Sequence, residues 1–307
     1  MEYVLKTNTL SKRYRKFTAL DEVSLSVPKG SVYGLVGRNG AGKTTLMRVI
    51  CGLQEPTGGS YSIYGVENGS RSIAASRKRM GAVIEKPAIY LGMSARQNLK
   101  VQYSLLGLPS DEGIDQLLEL VGLTDTGKKK ARSFSLGMKQ RLGIAVALAG
   151  SPDFLLLDEP INGLDPQGIV EIRELILKLN REHSITVLIS SHILSELSLL
   201  ATHYGFVDKG RLVKEISAED LERQVRKCMK VSVSDTKALT RVLDRQGCEY
   251  EIISDKDAKI YARIPITQLT TSLLEEDCEL LTVSEADESL ESYFIDLVGG
   301  GTDVKTD

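Results

Sequence analysis

Residues Gly37–Thr45 read GRNGAGKTT and stand between a short apolar run, Ser31–Val36 (SVYGLV), and an amphipathic stretch, Leu46–Leu53 (LMRVICGL). The spacing is G-x-x-x-x-G-K-T, from Gly37 through Gly42 to Lys43 and Thr44, without a gap. A strand entering such a loop and a helix leaving it turn successive backbone N–H groups inward, which needs conformations and a close approach that glycine permits. The helix beginning near Lys43 brings its positive dipole end, about half a unit charge, to the same place. Lys43 adds a full charge and Thr44 a hydroxyl. The segment reads as a cradle for phosphate oxygens, walled by Gly37, Arg38, Asn39, Gly40, Ala41, Gly42, Lys43, Thr44 and Thr45.

This is the P-loop pattern, and a nucleoside triphosphate held there needs two further things. One is a second contact for Mg²⁺ besides Thr44; the other is a group that orients or deprotonates the attacking water. Phe154–Pro160 (FLLLDEP) offers both, because a buried apolar strand ends in Asp158, placed to hold the metal through water, and Glu159, placed to act on the nucleophile.

Composition narrows the alternatives. The chain has 307 residues, 42% hydrophobic and 26% charged, with a net charge of −2. That describes an ordinary globular protein of two domains and implies no general affinity for nucleic acid. The four cysteines (Cys51, Cys228, Cys248, Cys278) form no C-x-x-C pair and read as free thiols. The opening MEYVLKTNTL has neither a basic nor an apolar signal region, and no run approaches a membrane-spanning length. The basic run Lys128–Lys130 with Arg132 reads as a solvated face.

Apolar patterning predicts strands near Val4–Thr9, Val23–Val27, Ser31–Val36, Ser60–Tyr64 and Gly81–Ile84. Helices follow at Ser94–Leu108, with Ser94 as a cap, at Gly113–Leu123 and after Ser135. Strands return at Phe154–Leu157, Ile185–Ile189 and Tyr204–Val207, the first two separated by a long helix, Gln167–Arg181. The fold class is α/β: a parallel P-loop NTPase core over residues 1–216 with a helical insertion from about Lys86 to Gly150. Residues 217–307 read as a smaller α+β domain. A short helix (AEDLERQVR) leads into the order βαββαβ, the ferredoxin-like arrangement, and a last helix (ESLESYFIDLVG) precedes a loose Gly/Asp tail.

Further motifs carry a resemblance to a family. Phe134–Arg141 (FSLGMKQR) resembles the signature of ABC-type ATPases, usually LSGGQ; Asn162–Pro166 (NGLDP) resembles their D loop, and Ser190–Leu197 (SSHILSEL) their switch-histidine region. Tyr14, in SKRYRKF, stands where that family places an aromatic that stacks on adenine. The segments IEKPAIY, SLGMKQRLGIA and EPINGLDP together are similar to the ATPase subunits of bacterial exporters of the bacitracin and lantibiotic type. The resemblance implies ATP and Mg²⁺ as ligands and His192 as a second catalytic residue. It also implies that each ATP is completed by two chains. Ser135 would cap a helix whose free N–H groups meet the partner's nucleotide, alongside Leu136, Gly137, Met138 and Asp165. The assembly implied is a homodimer or paired ATPase domains under a separate multi-pass permease, on the cytoplasmic face of the membrane, with Ala88–Leu99 as the contact segment.

Three residues depart from the family pattern. Leu136 stands for a usual glycine, Met138 for a glutamine, and Glu85 for the glutamine that touches Mg²⁺. Glu85 is expected to keep the metal contact and to change the coupling, since a carboxylate cannot donate a hydrogen bond at neutral pH. Two other functions remain open on the sequence: a soluble ABC-type ATPase acting on ribosomes or DNA, and a nucleotide-gated regulator that does not hydrolyse. The second domain fits either a sensing module or an appendage that stabilises a dimer.

Overall fold

The computed structural model describes residues 2–224, 227–262, 264–287 and 290–299. The chain divides into two compact units, one up to Ala218 and a second from Glu219 onward.

The first unit is built on a six-stranded sheet. Its order is Arg211–Ser217, His203–Asp208, Val32–Val36, Thr186–Ser191, Phe154–Asp158 and Met80–Val83. All neighbours are parallel except the first pair, which forms an antiparallel hairpin at the edge. Val32–Val36, Phe154–Asp158 and Thr186–Ser191 are buried at every position, as expected of strands covered on both faces. One sheet position matters most. The Thr186–Ser191 strand lies between the strand that feeds the glycine loop and the strand that ends in Asp158.

A second, antiparallel sheet covers the glycine-loop helix. Its long strand, Tyr3–Tyr14, pairs with Phe17–Val23, Ser26–Pro28 and Gly58–Ile63. The Lys43–Ile50 helix is packed in between, with Leu46, Met47, Val49 and Ile50 buried among Leu5, Leu10, Leu20, Phe154 and Leu156. The sequence predicts one strand at Val23–Val27. The structure splits it, because Phe17–Val23 and Ser26–Pro28 pair with different stretches of Tyr3–Tyr14. Register shifts along Tyr3–Tyr14 carry that strand through the polar residues after Thr9. Sequence patterning also missed Arg211–Ser217, whose alternating exposure is that of an edge strand, and the short helix Ile73–Arg77.

Helices Ala95–Leu106, Ile114–Leu120 and Leu136–Leu148 lie between the strands Met80–Val83 and Phe154–Asp158, and caps explain the ends of the first and the start of the last. Ser94 and Gln97 make a reciprocal capping box for Ala95–Leu106, and Gly107 closes that helix at φ 69°. Ser135 caps Leu136–Leu148 by accepting the Met138 N–H. The latter helix lies hard against the sheet: a Cβ on Gly81 would stand 2.4 Å from the Ala147 carbonyl oxygen. The long helix runs Pro166–His183, with Asp165 capping it and Pro166 at its first position.

The second unit is a four-stranded antiparallel sheet in the order Tyr250–Ile252, Asp257–Ile260, Lys227–Val233, Leu280–Asp287. Numbered along the chain this is 2-3-1-4, the ferredoxin-like order. Helices Thr236–Gln246 and Ile266–Leu274 bury Leu239, Val242, Leu243, Leu269 and Leu273 against Val231, Val233, Ala258 and Ile260. The predicted last helix is present as Leu290–Gly299; its first two predicted residues and the predicted tail, from 300 on, lie outside the described residues. So do Val225 and Arg226, the predicted end of the linking helix, which is found at Ala218–Gln224.

The Gly81 contact fixes where the Leu136–Leu148 helix sits. Gly81→Ala should therefore lower the unfolding free energy by about 1–3 kcal/mol, since the opposing atom is backbone and cannot rotate away. A denaturant midpoint unchanged from wild type would contradict this.

Candidate functional site

The glycine loop closes where the sequence places it. Gly42 adopts φ 106° at the start of the Lys43–Ile50 helix, and a Cβ there would lie 2.5 Å from the Ala19 carbonyl oxygen. Only glycine meets both conditions. Arg38, Asn39 and Gly40 line an exposed rim, Ala41 is buried beneath it, and Thr44 and Thr45 are half-buried. Lys43 is 5% exposed and its ammonium donates to the carbonyls of Gly37 (2.6 Å) and Arg38 (3.2 Å). The lysine thus folds back over its own loop, inside the ring of groups that would surround a phosphate.

Asp158 and Glu159 sit at the end of the Phe154–Asp158 strand. Asp158 is 2% exposed, and both of its oxygens accept a hydrogen bond: Oδ2 from Thr44 (2.8 Å) and Oδ1 from Ser190 (2.6 Å). Glu159 turns off the strand at φ 49°, and its N–H donates to the Ser190 hydroxyl at 2.9 Å. One of its carboxylate oxygens, Oε2, lies 2.8 Å from His192 Nδ1. The other, Oε1, lies 3.2 Å from Lys43 Nζ, is buried, and has no hydrogen-bond partner in the protein. The 3.2 Å approach is an ion pair whose angles do not make a hydrogen bond. Lys43, Thr44, Asp158, Glu159 and His192 are therefore one cluster.

Ser190 completes that cluster, and the sequence analysis did not single it out. Its signal is a hydroxyl directly after the apolar run Ile185–Ile189, buried to 0% and level with Asp158 on the neighbouring strand. Such a group at the carboxyl end of a parallel strand must find a polar partner.

The remaining expected residues have contacts of their own. Glu85 pairs with Arg48 (2.5 Å) rather than with Thr44 or Asp158. Tyr14 is 38% exposed, donates its hydroxyl to Gln54, and has the Lys12 ammonium 5.3 Å from its ring centre. Phe17, its antiparallel neighbour, is a second exposed aromatic in the same hairpin. Ser135 and Leu136 are exposed at the start of their helix, with Gly137 and Met138 half-buried. The Ser135 cap takes the Met138 N–H and leaves those of Leu136 and Gly137 for another acceptor. Asp165 spends one oxygen on the Gly168 N–H at 3.0 Å, an intrachain role that the sequence analysis did not assign to it.

Among the described residues no group of three or more His, Cys, Asp or Glu forms a metal cage, and no helix is long and apolar enough to cross a membrane.

Comparison with known proteins agrees with this geometry. A family model described as "ABC transporter" matches residues 20–162. The chain is 40% identical over 305 residues to the bacitracin transport ATP-binding protein BcrA of Bacillus licheniformis, covering 98% of this chain and 99% of that one. It is 46% identical over 212 residues to the lantibiotic transport ATP-binding protein SrtF of Streptococcus pyogenes, covering 69% and 90%. Among solved structures it is similar to cbiO1 from Clostridium perfringens, described as part of the ABC transporter complex cbiONQ, with a TM-score of 0.65, 25% identity and coverage of 80% and 97%.

Ser190 holds both acids, so its hydroxyl should be felt in stability. Ser190→Ala strands a buried carboxylate oxygen and should cost about 1–3 kcal/mol of unfolding free energy, measured by chemical denaturation. A loss no larger than that of an exposed serine, such as Ser133→Ala, would count against the brace.

Proposed function

We propose, for a chain that belongs to the ABC transporter family, that it is the ATP-binding and ATP-hydrolysing subunit of a bacterial exporter of peptide antibiotics. The relatives named for bacitracin and lantibiotic transport support the cargo class, and the former aligns along both units of this chain. That likeness disfavours a soluble ATPase acting on ribosomes or DNA. The Glu159–His192 pair disfavours a switch that does not hydrolyse.

The observation that carries the chemistry is the buried Glu159 Oε1 without a hydrogen-bond partner. A carboxylate oxygen so held can accept a proton from a water at the γ-phosphate. His192 at Oε2 fixes the orientation of the carboxylate, and Lys43 stands ready to move from the loop carbonyls and Glu159 to phosphate oxygens. The Ser190 bond to the Glu159 N–H holds the backbone that aims the acid. The loop N–H groups and the Lys43–Ile50 helix bind the phosphates, and Tyr14, with Phe17 beside it, offers an aromatic face for adenine.

The donor set fits Mg²⁺. The Thr44 hydroxyl and the Asp158 carboxylate are hard oxygen donors in mutual contact, and the absence of a three-acid cage among the described residues leaves coordination to phosphate and water. The ion, held by Thr44 and Asp158, would supply charge neutralisation for the phosphates.

Two chains face one another in this reading. The free N–H groups of Leu136 and Gly137, with the Ser135 hydroxyl, form a second anion site for the nucleotide on the partner's loop. ATP then favours the closed pair, and hydrolysis reopens it. The chain works at the cytoplasmic face of the membrane, peripheral to a separate multi-pass permease. Ala88–Leu99 supplies the contact, and Tyr90 and Leu91 are its large exposed apolar residues.

Glu159→Gln should reduce steady-state ATP turnover by about 10²- to 10⁴-fold while ATP binding persists, and should trap a dimer visible by light scattering in Mg·ATP. Turnover near wild type would refute the assigned role of Glu159. A variant saturated with nucleotide yet monomeric beside its permease would refute the two-chain site. Tyr90→Asp combined with Leu91→Asp should abolish co-purification of the permease without weakening ATP binding.

A further inference from the structure

The strands that end at the site carry a third acid. Met80–Val83 runs parallel to Phe154–Asp158, with Val83 opposite Leu157. Two residues beyond that pair stand Glu85 and Glu159, and both have turned into the left-handed region, at φ 60° and 49°. Asp158 lies between Leu157 and Glu159, so three carboxylates gather at one end of the sheet. One helix answers all three. From Lys43–Ile50, Lys43 reaches Glu159 (3.2 Å), Thr44 donates to Asp158 (2.8 Å), and Arg48 pairs with Glu85 (2.5 Å). Thr44 and Arg48 are four residues apart and share a helix face.

The three contacts differ in one respect. Asp158 and Glu159 are 2% and 18% exposed, whereas Glu85 is 56% exposed and Arg48 34%. An exposed pair of this kind is weak and exchanges partners readily. Without Arg48, a loose carboxylate beside two fixed ones would be drawn to any cation that Thr44 and Asp158 hold.

We propose that Arg48 is a positioning residue that withholds Glu85 from the Thr44–Asp158 pair, so that a magnesium nucleotide competes with Arg48 for the Glu85 carboxylate. The inference rests on the reading of the site given above. Arg48 sits on the helix whose first residues bind phosphate, so the competition takes place within one rigid element.

The test measures how much Mg²⁺ the full chain needs to bind a fluorescent, non-hydrolysable ATP analogue, read by anisotropy across buffered Mg²⁺ concentrations. Arg48→Ala should lower the Mg²⁺ midpoint about two- to fivefold, the range an exposed ion pair can supply. Arg48→Gln, which keeps most of the aliphatic stem, should do the same and serves if the alanine variant does not fold. In a Glu85→Gln background the Arg48 substitution should have no effect on the midpoint. No shift, an upward shift, or an equal shift without the Glu85 carboxylate would overturn the inference while leaving the site intact. Wild-type binding indifferent to Mg²⁺ would overturn the reading of the site together with this inference.

Discussion

Two adjacent carboxylates at the inner end of a parallel strand repel each other and are poorly solvated. They stay there only if donors and positive charge are fixed around them. The Thr44–Asp158 and Lys43–Glu159 contacts are that fixation, and the remaining architecture can be understood as what holds them in place. The glycine loop brings Lys43 and Thr44 to the strand end. The antiparallel sheet buries the other side of their helix. The strand inserted between the loop strand and the acidic strand contributes Ser190, which ties the acids together from below.

The helical insertion is anchored to the same framework by close packing. Gly81 lets the Leu136–Leu148 backbone come down onto the sheet, and the Ser135 cap sets where that helix begins. The first turn of that helix is thus placed from both sides, by the Ser135 cap before it and by the Gly81 contact at Ala147 near its far end. The second unit has its own sheet and its own core, and its strand order needs nothing from the first.

Much of the site was legible in the sequence because its elements are local. A glycine spacing, a lysine and threonine at a helix start, and an apolar run ending in Asp-Glu each fit within ten residues. The ferredoxin-like order was legible for the same reason, through alternating periodicities and turn residues. The parts that were not legible are pairings made by topology. Ser190 meets Asp158 only because their strands are neighbours, and Arg48 meets Glu85 across 37 positions of sequence. Asp165 illustrates a different limit. Its D-loop pattern suggested an intermolecular task, while its place before Pro166 makes it the N-cap of a long helix, a signal that was present and passed over. The split of the predicted Val23–Val27 strand came from pairing with two different stretches of Tyr3–Tyr14, which periodicity alone does not encode.

Glu159 and Glu85 both occupy backbone geometry in which an ordinary side chain costs on the order of 1 kcal/mol or more, a strain that glycine, without a Cβ, escapes. Selection for durability alone would therefore replace both acids with glycine. On that reasoning the most heat-resistant version of this chain and its working version are different molecules. Laboratory evolution toward thermal tolerance, run without asking the protein to do its job, should erode these two positions early.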